Sequence, residues 1–191
     1  MKINKKIDQV FESSSNAILD SKKLSMEIEN SINLIIKSIK KGNKIVIFGN
    51  GGSAADAQHM AAEFIGRFMK ERKSFPAIAL STDSSIITAI GNDYSFEKIF
   101  SRQAESLVKK GDVVIAISTS GESKNILEGI KTSKKLGAKI ISLTGENGMK
   151  MKSDIFLNVP STITSRIQEA HRTIIHIICE MVEEELSKRG K

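Results

Sequence analysis

The sequence predicts an α/β sandwich: a parallel sheet covered by helices on both faces, with a helical segment ahead of it. Two observations carry this. Five apolar runs have strand length, namely KIVIF (44–48), FPAIAL (75–80), DVVIAIS (112–118), AKIISLTG (138–145) and IFLNVP (155–160). Stretches of helical character lie between most of them, and alternation of strand with helix marks parallel units buried on both sides.

Each element has a local reason. Leu24, Ile28, Ile32, Ile35 and Ile39 recur every three or four positions, so an amphipathic helix ends at Gly42-Asn43. A further helix precedes it, with a break expected near Ser13-Ser14-Ser15. After the first strand a helix runs from about Ser53 to Met69, and Pro76 opens the second strand. SFEKIFSRQAESLVKK (95–110) reads as helical, KNILEGIKTSKKL (124–136) forms a helix stopped by Gly137, and a long helix closes the chain from about Thr164 to Ser187. A single domain over 1–191 is expected, with 1–41 as the helical segment.

Composition excludes several classes. No apolar run reaches the roughly 18 residues of a membrane span, and MKINKKIDQVFESSS lacks the apolar core of a signal peptide. No membrane association is expected. The lone cysteine, Cys179, sits in an apolar helical pattern and fits a reducing, cytoplasmic setting. The formal charge of +7 comes from scattered lysines, and one Tyr, eight Phe and no Trp leave few rings for base stacking, so no nucleic-acid partner is expected.

Two loops follow strands where parallel sheets bind ligands, beyond the carboxyl ends. Gly49-Asn50-Gly51-Gly52-Ser53-Ala54 fits a loose dinucleotide fingerprint, but the acidic residue that should close the next strand is missing. In the other, Ser118, Thr119, Ser120 and Ser123 surround Gly121 at a helix start. One helix cap needs one hydroxyl; four hydroxyls with free backbone N–H groups fit a phosphate monoester.

His59 and Glu63 are spaced i, i+4 and share a helix face. In the last helix Gln168 and His176 lie about 80° apart around the axis. Two imidazoles, a carboxylate and an amide oxygen are the donor types that zinc accepts, while His171 is a rival ligand that spacing leaves open.

Four stretches in order, GNGGSAADAQHMAAEFIGRF, AIGNDYSFEKIFSRQ, AISTSGESKNI and RIQEAHRTIIHI, resemble the sugar isomerase (SIS) domain of phosphoheptose isomerases over nearly the whole chain. The resemblance implies a three-layer α/β/α sandwich on a five-stranded parallel sheet. It also implies a homotetramer with sites at subunit interfaces, 1–41 joining the oligomer contacts. The implied reaction converts D-sedoheptulose 7-phosphate to D-glycero-D-manno-heptose 7-phosphate for bacterial surface polysaccharide such as lipopolysaccharide.

Position by position, the resemblance makes Asn50, Gly51, Gly52, Ser53, Asn92 and Asp93 substrate contacts. It makes Ser118, Thr119, Ser120 and Ser123 the phosphate cradle. His59, Glu63, Gln168 and His176 match the positions of one zinc ion per subunit. Glu63 and Gln168 also touch substrate, and Glu63 with His176 forms the acid–base pair.

Two departures stand out: a shorter segment between the last two strands, and Glu122 where Asn is expected. The alternative within the family is a non-catalytic adaptor that binds the replication initiator DnaA. It lacks equivalents of Glu63 and His176, which are present here.

Overall fold

A computed structural model describes residues 3–188. Its elements are α1 (Ile3–Asp20), α2 (Ser25–Lys40), β1 (Ile45–Gly49), α3 (Gly52–Ile65), β2 (Ala77–Ala79), α4 (Ser84–Asp93), α5 (Ile99–Leu107), β3 (Val113–Ile117), α6 (Lys124–Lys135), β4 (Lys139–Thr144), β5 (Ile155–Asn158) and α7 (Thr164–Ser187). Short 3₁₀ turns occupy Ser21–Leu24 and Phe96–Lys98.

The five strands form one parallel sheet in the order β2-β1-β3-β4-β5. Side chains alternate between its faces, as the period of two requires. Ile45, Ile47, Ile115, Ile117, Ile141 and Leu143 point into a core built with α2, α3 and α7. Val46, Phe48, Val114, Ala116 and Ile140 point into a second core with α5 and α6, where Phe48 and Phe100 stack at 5.0 Å. Burial on both faces explains why the central strands are apolar runs rather than alternating ones. The expected three-layer sandwich on a five-stranded parallel sheet is what the chain forms.

The order in which strands are added reverses between β1 and β3, since β2 lies on the other side of β1. That is the switch point at which open parallel sheets leave a crevice. Both glycine-bearing loops of the sequence open onto it.

Two sequence expectations are corrected. Ser13-Ser14-Ser15 does not break the first helix: α1 runs through it and the break falls at Ser21–Leu24. Ser14 Oγ donates to Glu169 Oε2 at 2.6 Å and Arg166 Nη1 donates to the Val10 carbonyl at 2.9 Å, so α7 overrides the weak local preference of serine. The second correction is the end of α3, which stops at Ile65 and not near Met69 because Gly66 leaves the helical conformation (ψ −108°). The sequence left α4 unassigned. Asp83 caps it through the Ile86 N–H at 2.9 Å, yet none of its residues is buried in the single chain.

Candidate active site

The first loop is a tight strand-to-helix turn. Gly51 has φ +55°, a left-handed value that favours glycine. A Cβ on Gly49 would fall 2.6 Å from the Ser53 carbonyl oxygen, so that position also excludes larger residues. Asn50 exchanges two amide hydrogen bonds with Asn125 of α6, at 2.9 and 2.8 Å. Its side chain is thereby committed to holding this loop against the second one. Ser53 is buried within the first turn of α3.

The second loop leaves its hydroxyls uncommitted to capping. Ser123 precedes α6 but makes no side-chain capping bond. Ser118 Oγ lies 3.4 Å from Ser123 Oγ and accepts the Gly121 N–H at 3.2 Å; Ser120 Oγ accepts the Glu122 N–H at 3.3 Å. Thr119 and Ser120 line a cleft of about 280 Å³ with Gly145 and Thr164. The segment between β4 and β5 packs against this loop: Lys150 N–H donates to the Gly121 carbonyl at 3.0 Å, and Gly145 N–H to the Thr119 carbonyl at 3.1 Å. Glu122, the residue that departs from the family pattern, pairs with Lys150 Nζ at 2.8 Å. Its charge is thus matched by a neighbour on the same segment.

Candidate residues His59, Glu63 and His176 gather between α3 and α7. His59 Nε2 lies 2.9 Å from Glu63 Oε1, and the His59 and His176 rings meet edge to face at 5.1 Å. Gln168 reaches the start of α3, where a Cβ on Gly52 would fall 2.4 Å from its amide nitrogen. Phe68 packs on the other side of His176, at 5.6 Å between ring centres. Burial lowers the pKa of His176 first, and the nearby His59 and Arg172 lower it further, against Glu63 and Asp56. The neutral ring is therefore the form held near pH 7.

Sequence reasoning missed two members of this group. Arg172 ion-pairs with buried Asp56 at 2.7 Å and directs Nη1 at His59 Nδ1, 3.0 Å away. The signal was available: Gln168, Arg172 and His176 are each four positions apart, so they form one stripe on α7.

His171 is not on that stripe. It is fully buried, its Nε2–H donates to the Thr144 carbonyl at 3.1 Å, and burial pushes its pKa down to about 4. Asn92 and Asp93 lie at the exposed end of α4, where Asn92 donates to Asp93 at 2.9 Å; one chain does not bring them into the α3–α7 group.

The donor types at His59, Glu63, Gln168 and His176 fit zinc, being two imidazoles, a carboxylate and an amide oxygen. Among the described residues, however, no three His, Cys, Asp or Glu side chains stand in a ready metal cage. No helix among those residues is long and apolar enough to cross a membrane.

Residues 10–145 match the model of the SIS domain family. The phosphoheptose isomerase of Aquifex aeolicus is 50% identical over 188 residues, 97% of this chain and 98% of that one. That of Citrifermentans bemidjiense is 54% identical over 170 residues, 88% of each chain. The solved structure of phosphoheptose isomerase from Neisseria gonorrhoeae superposes with a TM-score of 0.89 at 39% identity, covering 96% of this chain and all of that one.

Proposed function

The chain belongs to the phosphoheptose isomerases of the SIS domain family, and on that premise we propose how it acts on D-sedoheptulose 7-phosphate. The product is D-glycero-D-manno-heptose 7-phosphate. The observation that carries the reading is the His59–Glu63–His176 group held between α3 and α7, with a hydroxyl-rich loop following β3 at the sheet's switch point.

Exchanging a ketose for an aldose moves one proton between C1 and C2 and another between their oxygens, through an enediol. The Glu63 carboxylate is placed to carry the carbon proton. A neutral His176 has one N–H and one lone pair, so it can pass a proton between the two oxygens. Each such transfer contributes roughly 10²–10⁴-fold. The Ser118–Ser123 loop holds the distant phosphate and spends that binding on placing the reacting carbons. The main chain at Gly51 and Gly52 leaves room for a sugar to lie against it.

A zinc ion would be held by His59, Glu63, Gln168 and His176. When bound it supplies Lewis-acid polarisation of substrate oxygens.

We place the sites between copies of the chain in a homotetramer. The exposed apolar residues Ile3, Ile7, Val10 and Phe11 of α1, and an α4 with no fully buried residue in one chain, support this. The cytoplasm as location, and lipopolysaccharide or another heptose-bearing surface glycan as destination, belong to the same proposal. No observation favours the DnaA-binding adaptor.

The test is turnover of sedoheptulose 7-phosphate followed by NMR of the sugar. Wild-type protein should yield the aldose 7-phosphate, and Glu63→Gln should be nearly inactive. No product from properly assembled wild-type protein would overturn the reading.

A further inference from the structure

Between α3 and β2 the chain runs through RFMKERKS (67–74), a polar stretch without regular structure that would ordinarily be a mobile connection. Here it is fixed by two buried charges. Glu183 on α7 is 2% exposed and accepts three successive backbone N–H groups, from Phe68 at 2.9 Å, Met69 at 2.6 Å and Lys70 at 2.7 Å. The Arg72 side chain, 5% exposed, completes the set with Nε at 3.0 Å. Desolvation works against the Glu183 carboxylate, yet these donors hold its pKa below the usual value.

The rest of the Arg72 guanidinium faces α3. Nη2 donates to the Glu63 carbonyl at 2.7 Å, and Nη1 donates to those of Phe64 at 2.9 Å and Gly66 at 3.2 Å. Those carbonyls belong to the helix end, which lacks enough intrahelical donors. The Phe75 ring lies under the guanidinium at 4.0 Å. Glu183 meanwhile fixes Phe68, whose ring walls His176.

We propose that Arg72 and Glu183 are positioning residues for the reaction. Together they hold Glu63 by its main chain and His176 by the ring of Phe68. The proposal rests on the isomerase reading and adds the device that keeps its two proton carriers in register. The expected signature follows from where the clasp sits. Its contacts are with the end of α3, with α7 and with the 67–74 stretch, and none is with the Ser118–Ser123 loop. Misplacing a reacting group by about 1 Å costs on the order of 10²-fold in rate, while binding through the phosphate is untouched.

In the fully assembled protein, Glu183→Gln and Arg72→Lys should each lower kcat by about 10- to 100-fold. KM for sedoheptulose 7-phosphate should stay within about twofold, because ground-state binding is unchanged. Lysine cannot rescue Arg72, since one ammonium cannot reach both the carboxylate and three carbonyls. Phe68→Leu, which leaves the clasp in place, should lower kcat by a smaller factor and shift the His176 ring resonances in an ¹H–¹⁵N spectrum. Glu184→Gln removes only the exposed pair with Lys70 and should leave both constants alone.

Wild-type kcat in folded Glu183→Gln and Arg72→Lys, or KM rising in step with the loss, overturns the proposal. Should those two variants fail to fold, Phe68→Leu decides: unchanged kcat with unmoved His176 resonances overturns it equally. Absence of turnover in the wild type would instead defeat the isomerase reading, and is distinguishable from both.

Discussion

Asn50 and Asn125 exchange two side-chain hydrogen bonds, at 2.9 and 2.8 Å, and so tie the loop after β1 to the start of α6. Asn125 is 3% exposed. Replacing it with alanine leaves the amide of Asn50 without its partner, at a cost of about 1–3 kcal/mol. For Asn125→Ala we expect the thermal midpoint to fall by several degrees. KM for the sugar phosphate should rise more than kcat falls, because the two loops lose their common register. Calorimetry and steady-state kinetics on one preparation check both.

Gly51 and Gly52 make opposite predictions although they are neighbours. At Gly51 a Cβ meets nothing within 4 Å, but φ is +55°. Gly51→Ala should therefore cost stability, about 1–3 kcal/mol, and affect turnover less. At Gly52 no left-handed conformation is required, but a Cβ would strike the end of the Gln168 side chain at 2.4 Å. That flexible amide can swing aside, so Gly52→Ala should keep its thermal midpoint and lose most activity. Equal stability losses in the two variants would contradict this assignment.

Acid should act on the fold through His171. Its pKa is about 4 in the folded chain against 6.5 for a free histidine. As pH falls from 6.5 to 4, the unfolded chain binds a proton that the folded one refuses, so stability declines across that window. The decline is about 3 kcal/mol for this group, from its shift at 1.36 kcal/mol per pH unit. Urea titrations at several pH values should show His171→Gln with a shallower slope over the same window. A slope identical to wild type would assign the loss to other groups.

Lys150 balances Glu122 beside the Ser118–Ser123 loop, the proposed phosphate site, at 2.8 Å. Both side chains are exposed, so the pair contributes at most about 1 kcal/mol. Removing only the cation leaves a carboxylate near an incoming phosphate. Lys150→Ala should raise KM by a few-fold at low salt, and Lys150→Ala with Glu122→Ala should restore it. The effect should fade above about 0.5 M salt as screening shortens.

The sheet was legible because its central strands are buried on both faces, which writes them as unbroken runs such as VVIAI. Helices with one buried stripe were legible for a similar reason. α4 was not, because none of Ser84–Asp93 is fully buried in one chain and its apolar stripe is only the short Ile86, Ile87 and Ile90 set. Ser13–Ser15 misled because serine prefers caps and turns, a preference that Glu169 and Arg166 overrule from 150 positions away. Among the candidate site residues, His59, Glu63, Gln168 and His176 were named from spacing and resemblance, and the structure makes neighbours of His59, Glu63 and His176. Arg172, Arg72 and Glu183 were not named. A charged residue on a helix or in a polar loop reads as solvent-facing, and only the tertiary partners show otherwise.

Cys179 lies in the core of α7, three residues after His176, and burial pushes its thiol up to about 12. In the closed fold it has neither exposure nor thiolate character, so alkylating reagents meet nothing reactive. It is also the chain's single thiol. Its labelling rate is therefore a clock for how often this core opens, readable as one mass increment with no introduced probe. Bound sugar phosphate should slow that clock by the same factor by which it suppresses opening.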